Sequence, residues 1–166
     1  VSGHVETIHS YTNDQNLMIP WIPGDRLATL YSALQGINLA EANAYHISDV
    51  TTCPGADYCS LAMSRSMGVA TSIREHLQTL NGEIEDLGVF RVKVSGCPNG
   101  CGQHQVGNIG MTGLSIKGKD GKHYPHYSLL VGGRVGENAV AGQRVAGRFP
   151  LAETPKVVAA LAEVYR

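Results

Sequence analysis

The sequence predicts an α/β domain with a mixed sheet, preceded by a smaller α+β portion. Strand-like and helix-like segments alternate along the chain, which is typical of this class. The clearest strand, residues 89–94, alternates apolar side chains with Arg91 and Lys93. Hydrophobic residues make up 43% of the 166 residues, an ordinary value for a chain that packs its own core.

The first part of the chain contains two short strand-like segments and one helix-like segment. Residues 5–12 carry a weak strand pattern, and the apolar run 16–19 is closed by Pro20. From Asp25, apolar residues recur at helical spacing until Gly36. We therefore place a small first unit at residues 1–48 and the main domain at residues 49–166.

The middle of the chain is expected to form a strand, a long helix and a second strand. Residues 45–50 alternate enough to predict a strand that leads into Cys53, and the strand at 89–94 leads into Cys97. Asp57 is a candidate N-cap for a helix that ends at residues 81–82. The side chains expected on the buried face of this helix are Cys59, Ala62, Met63, Met67, Ala70, Ile73, Leu77 and Leu80.

The last part of the chain predicts a strand pair and a final helix. Apolar segments at 106–116 and 124–131 are separated by a turn at 118–121. Thr154 begins a helix with Pro155 in its first turn. The inward side chains expected on this helix are Val157, Val158, Leu161 and Val164.

Composition excludes several classes of function. The net charge of −1, without a basic stripe interleaved with aromatics, gives no support for nucleic-acid binding. No run approaches the roughly 18 apolar residues of a membrane span, and the first ten residues lack a signal-peptide pattern. We therefore expect a cytoplasmic protein, where cysteines more often bind metal than form disulfides. The opening Val1 and a last helix without a stop signal lead us to expect a piece of a longer protein.

The four cysteines form two tight pairs, Cys53-x5-Cys59 and Cys97-x3-Cys101. Each pair follows a predicted strand and precedes a predicted helix start, where free N–H groups favour thiolates. Four thiolates suit an iron–sulfur cluster. Structural zinc sites typically separate paired ligands by about two to four residues, so one spacing fits zinc and the other does not. Buried, unreactive thiols are the third interpretation.

The surrounding motifs resemble those of the sirohaem-dependent sulfite and nitrite reductases. The resemblance rests on Cys53-Pro-Gly-Ala-Asp-Tyr-Cys59, then 37 intervening residues, then the run from Gly96 to Gln103. Segments 12–17, 106–113 and 130–133 extend it over nearly the whole chain. It matches only the C-terminal half of such enzymes. It implies that residues 1–48 belong to a ferredoxin-like linker domain, and that residues 49–166 bind a 4Fe–4S cluster and sirohaem.

The resemblance also implies how the cysteines are used. Cys53, Cys59, Cys97 and Cys101 would hold the 4Fe–4S cluster. Cys101 would also bridge to the sirohaem iron, which makes it the candidate catalytic residue. The implied reaction is a six-electron reduction of sulfite to sulfide or of nitrite to ammonia, with sulfite preferred. Cofactors carry such electron steps, while the protein positions them and supplies protons.

The implied partners are a small anion substrate, the missing N-terminal half of the same enzyme, and an electron donor. That donor would be ferredoxin or an NADPH-dependent flavoprotein. In the family, the cations that clamp the substrate come largely from the missing half. The remaining cations here, such as Arg144, Arg148 and Lys117, are therefore interpreted as solvated surface residues.

Several further residues are candidates for binding the cofactors. Gln15 and Asn16 would border them, Asn99 would hydrogen-bond a sulfur, and Arg134 would meet a carboxylate of sirohaem. The glycines that would allow close approach to a flat macrocycle are Gly107, Gly110 and Gly113.

A different hypothesis is that the isolated chain is a non-catalytic module. It would then bind a cluster or zinc, or fold without any cofactor.

Overall fold

The computed structural model describes residues 10–80 and 87–166, which fall into two compact units, Val1–Ala44 and Tyr45–Arg166. In the first unit, β1 (Ser10–Tyr11) pairs antiparallel with β2 (Leu17–Met18). A 3₁₀ turn at Gly24–Arg26 then leads into α1 (Leu27–Gln35), which ends before Gly36 as its pattern predicts. The rest of the weak strand expected at 5–12 lies outside the described residues.

The second unit contains one mixed sheet of six strands, whose residue ranges end this paragraph. Five strands lie in the order β3-β4-β5-β6-β7, and β8 also pairs with β6. β4 pairs in parallel with β3 and β5, while the remaining pairs are antiparallel. The α/β class with a mixed sheet is therefore confirmed. The strands are β3 (Thr51–Thr52), β4 (Val92–Ser95), β5 (Ile109–Lys117), β6 (His123–Val131), β7 (Gln143–Arg144) and β8 (Phe149–Pro150).

Two helices, α2 (Met67–Gln78) and α3 (Thr154–Tyr165), contribute to the same hydrophobic core as one face of this sheet. Alternate residues of the central strands point to that face because side chains alternate along a strand. The fully buried core side chains include Ile73, Val92, Val94, Ile109, Met111, Leu129 and Val158. No helix in the described part of the chain is long and apolar enough to cross a membrane.

Two predicted elements differ from the observed ones. Residues 45–50 form turns rather than a strand, because the Asp49 carboxylate accepts a hydrogen bond from the Tyr45 amide at 3.0 Å. Only Thr51–Thr52 pair with β4. The helix expected from Asp57 begins at Met67, and Asp57 instead lies in a 3₁₀ turn and pairs with Arg65 at 3.1 Å. The predicted end of that helix, at 81–82, lies outside the described residues.

Three apolar side chains predicted to be buried are exposed. Met63, in the loop before α2, is 52% exposed, and Met67, the first residue of α2, is 45% exposed. Val164 is 83% exposed, since the buried stripe of α3 runs through Thr154, Val158 and Ala162 at intervals of one helical turn.

Candidate cofactor site at the ends of two parallel strands

Cys53 and Cys97 lie just beyond two neighbouring parallel strands. β3 and β4 pair in the register Thr51 with Lys93 and Thr52 with Val94, so the residues that follow them meet at one edge of the sheet. The Cys53 amide continues the ladder by donating to the Val94 carbonyl at 3.1 Å. The Gly96 amide in turn donates to the Cys53 sulfur at 3.1 Å. The strand pairing therefore brings the first cysteine against the start of the second cysteine loop.

The loop that carries Cys59 is tied to the end of β4. The amides of Met63 and Ser64 both donate to the Gly96 carbonyl, at 2.9 and 3.0 Å. The Ser64 hydroxyl lies 3.2 Å from the carbonyls of both Leu114 and His126, on β5 and β6. These long-range bonds prevent a continuous helix from Cys59 to α2, since the amides of Met63 and Ser64 are already bonded to the residue that follows β4.

Close approach between the two cysteine loops depends on glycine. A Cβ at Gly96 would lie 2.7 Å from the Ser64 carbonyl oxygen and 2.9 Å from the Gly55 Cα. Gly55 has a φ of +65°, and a Cβ there would lie 2.2 Å from the Ser66 hydroxyl oxygen. A larger residue at either position would push the loops apart.

The second cysteine loop crosses the sheet face that lies opposite the core. Ser95 points to that face because its neighbour Val94 is a core residue. The Ser95 hydroxyl oxygen accepts a hydrogen bond from the Gly102 amide at 3.1 Å and lies 2.9 Å from His104 Nδ1. Cys97 is buried, whereas Cys101 is exposed. Of the four thiols, Cys101 is the one most open to a second group.

Ser66 is a second polar neighbour of the Cys53 sulfur. Its hydroxyl is fully buried, lies 3.5 Å from the Cys53 sulfur, and donates to the Cys53 carbonyl at 2.6 Å. No spacing rule in the sequence identifies Ser66 or Ser64 as part of the site. They are found only through contacts between segments that are distant along the chain.

Tyr127 braces the loop from the core side. Its hydroxyl donates to the Arg65 carbonyl, and its side chain is fully buried. Burial raises the pKa of Tyr127 well above its usual value, and the negative charges of a Cys53 thiolate and of Asp57 raise it further. The phenol therefore stays protonated and keeps its donor for the loop.

In the described residues, the four cysteines do not form a site for a single metal ion. All four cysteines lie in the described residues, and all four are free thiols. Within residues 10–80 and 87–166, no group of three or more His, Cys, Asp or Glu side chains is close enough to hold one metal ion. Zinc would need sulfur atoms at about 2.3 Å from a shared centre.

The other candidate residues occupy varied positions. Asn99 is exposed in the turn between Cys97 and Cys101. Arg134 follows β6 and donates from Nε to the Asn138 carbonyl at 2.9 Å, closing its own loop. Gln15 and Asn16 lie in the first unit, in the turn between β1 and β2, where the Asn16 amide donates to Thr12 Oγ1 at 3.0 Å.

The three glycines expected to admit a macrocycle pack against the protein's own backbone. A Cβ at Gly107 would lie 2.7 Å from the Ile109 carbonyl oxygen, and one at Gly110 would lie 1.8 Å from that of His104. At Gly113 the Cβ would lie 2.5 Å from the Gly96 carbonyl oxygen. Close packing within the chain is therefore sufficient to require glycine at these positions, and contact with a macrocycle stays a prediction.

Comparison with known proteins identifies similar chains. A family model described as the nitrite and sulphite reductase 4Fe-4S domain matches residues 44–166. Ferredoxin–nitrite reductase from Synechococcus elongatus is 29% identical over 147 residues, covering 89% of this chain and 28% of the relative. The same enzyme from Leptolyngbya laminosa is 34% identical over 104 residues, covering 63% of this chain and 20% of the relative. Sulfite reductase (ferredoxin) 2 from Mycolicibacterium paratuberculosis is 24% identical, covering 81% and 25%.

A solved structure, the Mycobacterium tuberculosis NirA protein, has a similar fold. The TM-score is 0.78 at 23% identity, and the match covers 89% of this chain and 28% of that one. The chain thus spans less than a third of the length of each of these proteins.

Proposed function

The chain belongs to the family of the nitrite and sulphite reductase 4Fe-4S domain, and from that premise we propose that it is the cluster-bearing part of a sulfite or nitrite reductase. The observation that carries the proposal is the 3.1 Å hydrogen bond from the Gly96 amide to the Cys53 sulfur, which links the two cysteine loops. Because the chain spans at most 28% of these relatives, the reaction, the substrate and the partners all belong to the proposal.

The cluster ligands in this proposal are Cys53, Cys59, Cys97 and Cys101. Cys53 and Cys97 are each only 7% exposed, so protein atoms keep water away from their sulfurs. The Gly96 amide donates to Cys53, and the Ser66 hydroxyl lies within reach of the same sulfur. Hydrogen bonds to cluster sulfurs and exclusion of solvent are two means by which a protein sets the reduction potential of a cluster.

In this proposal, Cys101 binds both the cluster and sirohaem. Its exposure distinguishes it from the buried Cys53 and Cys97 and leaves one side of its sulfur open. When bound, the cluster and sirohaem together supply the one-electron steps that reduce sulfite to sulfide or nitrite to ammonia. The chain's own part is to hold the Cys101 loop in place, through the bonds that Gly102 and His104 make to Ser95.

The proposal names the substrate and the partners only by class. The named relatives include both nitrite and sulfite reductases, so both anions are retained as substrates. Their names also indicate ferredoxin as the electron donor. We further propose that another part of the same enzyme supplies the cations that clamp the substrate, that residues 1–48 belong to a ferredoxin-like linker domain, and that the enzyme is cytoplasmic.

Anaerobic reconstitution of the chain with iron and sulfide tests the proposal. We expect a brown protein that contains iron and acid-labile sulfide in the ratio of a 4Fe–4S cluster. Cys53→Ser, Cys59→Ser and Cys97→Ser should each lose the cluster. Ser60→Ala, next to Cys59, is the matched control and should retain it.

Two outcomes would favour a non-catalytic module instead. One is a colourless chain with four titratable thiols after reconstitution, and the other is stoichiometric zinc without a visible band. If the cluster forms, addition of sirohaem then tests whether Cys101→Ser abolishes the spectral coupling between the two cofactors.

A further inference from the structure

A row of buried hydroxyls crosses the sheet face opposite the core. Ser95, Thr112 and Ser128 are register partners on β4, β5 and β6, and partners in register point to the same face. The Ser95 hydroxyl bonds within the second cysteine loop. The hydroxyls of Thr112 and Ser128, 4% and 3% exposed, have no hydrogen-bond partner among the described residues. A buried hydroxyl without a partner is costly, so each needs an explanation.

Ser128 opens onto a cavity at the edge of the sheet. β7 and β8 both pair with β6, and the chain between them bulges opposite Ser128. The cavity has a volume of about 530 Å³. Its lining residues are Ser128, Arg144, Val145, Ala146, Gly147 and Arg148.

Two arginines, Arg144 and Arg148, give the cavity a positive charge. Neither Arg144 nor Arg148 forms an ion pair with a carboxylate in the described part of the chain. The charge of Arg144 reaches into the protein, since it adds to burial in lowering the pKa of His104. Two guanidinium groups and an unsatisfied hydroxyl around one cavity form a set of donors without an acceptor.

We propose that this cavity binds a small anionic group, a carboxylate or an inorganic oxyanion, held by Arg144 and Arg148 with a hydrogen bond from the Ser128 hydroxyl. A planar guanidinium matches the geometry of such groups and donates to two oxygens at once. The bound oxygen also satisfies the buried Ser128 hydroxyl. This proposal gives the exposed Arg144 and Arg148 a binding role beyond that of solvated surface residues.

Two sources could supply this group. One is a free oxyanion such as sulfite or sulfate. The other is a carboxylate at the edge of sirohaem, and this second source depends on the proposed function. The site itself involves none of the four cysteines, so it is tested separately from the cluster.

Titration of the full cofactor-free chain with sulfate, followed by NMR at constant ionic strength, tests the site. We expect saturable shifts of the amides of Val145, Ala146 and Gly147. Arg144→Gln and Arg148→Gln should each weaken sulfate binding about tenfold or more, as expected for loss of a charge-assisted bond. Arg74→Gln, the same charge change at an exposed position of α2, should leave binding unchanged.

Ser128→Ala tests whether sulfate binding depends on the pocket itself or only on the positive charge of the surface. It keeps the net charge and should still weaken sulfate binding about fivefold, which corresponds to roughly 1 kcal/mol. Repeating the titration on the chain loaded with cluster and sirohaem distinguishes the sources. Shifts in both forms indicate a free oxyanion, and shifts only without cofactors indicate a sirohaem carboxylate. Shifts that do not saturate, or equal weakening by Arg74→Gln, would overturn the proposal.

Discussion

The backbone amide of Gly96 donates a hydrogen bond to the sulfur of Cys53, 43 residues earlier in the chain, at 3.1 Å. This bond exists because β3 and β4 are parallel neighbours whose ends reach the same edge of the sheet. The carbonyl of the same residue accepts the amides of Met63 and Ser64. Gly96 therefore joins both parts of the first cysteine loop to the second.

Gly96→Ala should destabilise the chain by about 1–3 kcal/mol, the range for overpacking a filled site. The new methyl would lie 2.7 Å from the Ser64 carbonyl oxygen, which is backbone and cannot rotate away. Gly68→Ala in α2 is the control, because no atom lies within 4 Å of its Cβ position. Alanine there should be neutral or stabilising, by up to about 1 kcal/mol. Urea unfolding measures both, and equal effects would contradict the packing argument.

Ser66→Ala should lower the free energy of unfolding by about 1–2 kcal/mol, because the buried Cys53 carbonyl loses its 2.6 Å donor. In the reconstituted protein, we also expect a shifted cluster potential, since the polar Ser66 hydroxyl 3.5 Å from the Cys53 sulfur has been removed. Ser72→Ala removes only an exposed bond within α2 and is the matched control. An unchanged potential in a redox titration of Ser66→Ala would show that this hydroxyl does not act on the sulfur.

Tyr127→Phe should cost about 1–2 kcal/mol of stability, because the Arg65 carbonyl loses its donor while the ring still fills the core. Tyr58→Phe, at an exposed position of the same loop, should have no measurable effect. In an absorbance titration, the raised pKa of Tyr127 should keep this tyrosine unionised until the chain unfolds. If Tyr127→Phe does not remove that late component, the assignment is wrong.

The stability of the folded chain should fall as the pH is lowered through the range in which His104 titrates. Burial, and then the charge of Arg144, lower the pKa of His104 from its ordinary 6.5. The unfolded chain thus binds the proton at higher pH than the folded chain. The contribution of His104 is complete above pH 6.5, and it is lost as the pH falls to and through the lower folded-state pKa.

Unfolding experiments between pH 7.5 and 5 compare the wild-type chain with His104→Gln, which should lack this component. His123→Gln makes the same substitution at an exposed histidine and is the matched control. A profile of His104→Gln that overlays the wild type would show that another group causes the loss.

The spacing of apolar residues predicted the helices and strands well where every third, fourth or second residue is buried. α3 and the β5–β6 pair lie close to their predicted positions because each has one apolar face to bury. α1 also lies where its spacing predicts, although none of its residues is buried in the structure. The family expected from the motif around Cys53 and Cys97 is confirmed by the match over residues 44–166. Which side chains complete the cofactor site stays a prediction.

The sequence alone determined the α/β class, the two cysteine pairs and the family, because spacing and periodicity are local properties of a chain. Tertiary structure alone decided that Cys59 sits in a loop, that Ser66 meets the Cys53 sulfur, and that Ser128 faces two arginines across a cavity. These relations depend on hydrogen bonds and strand register between segments dozens of residues apart. No local pattern encodes them, since the partner that satisfies each group arrives only when the sheet assembles.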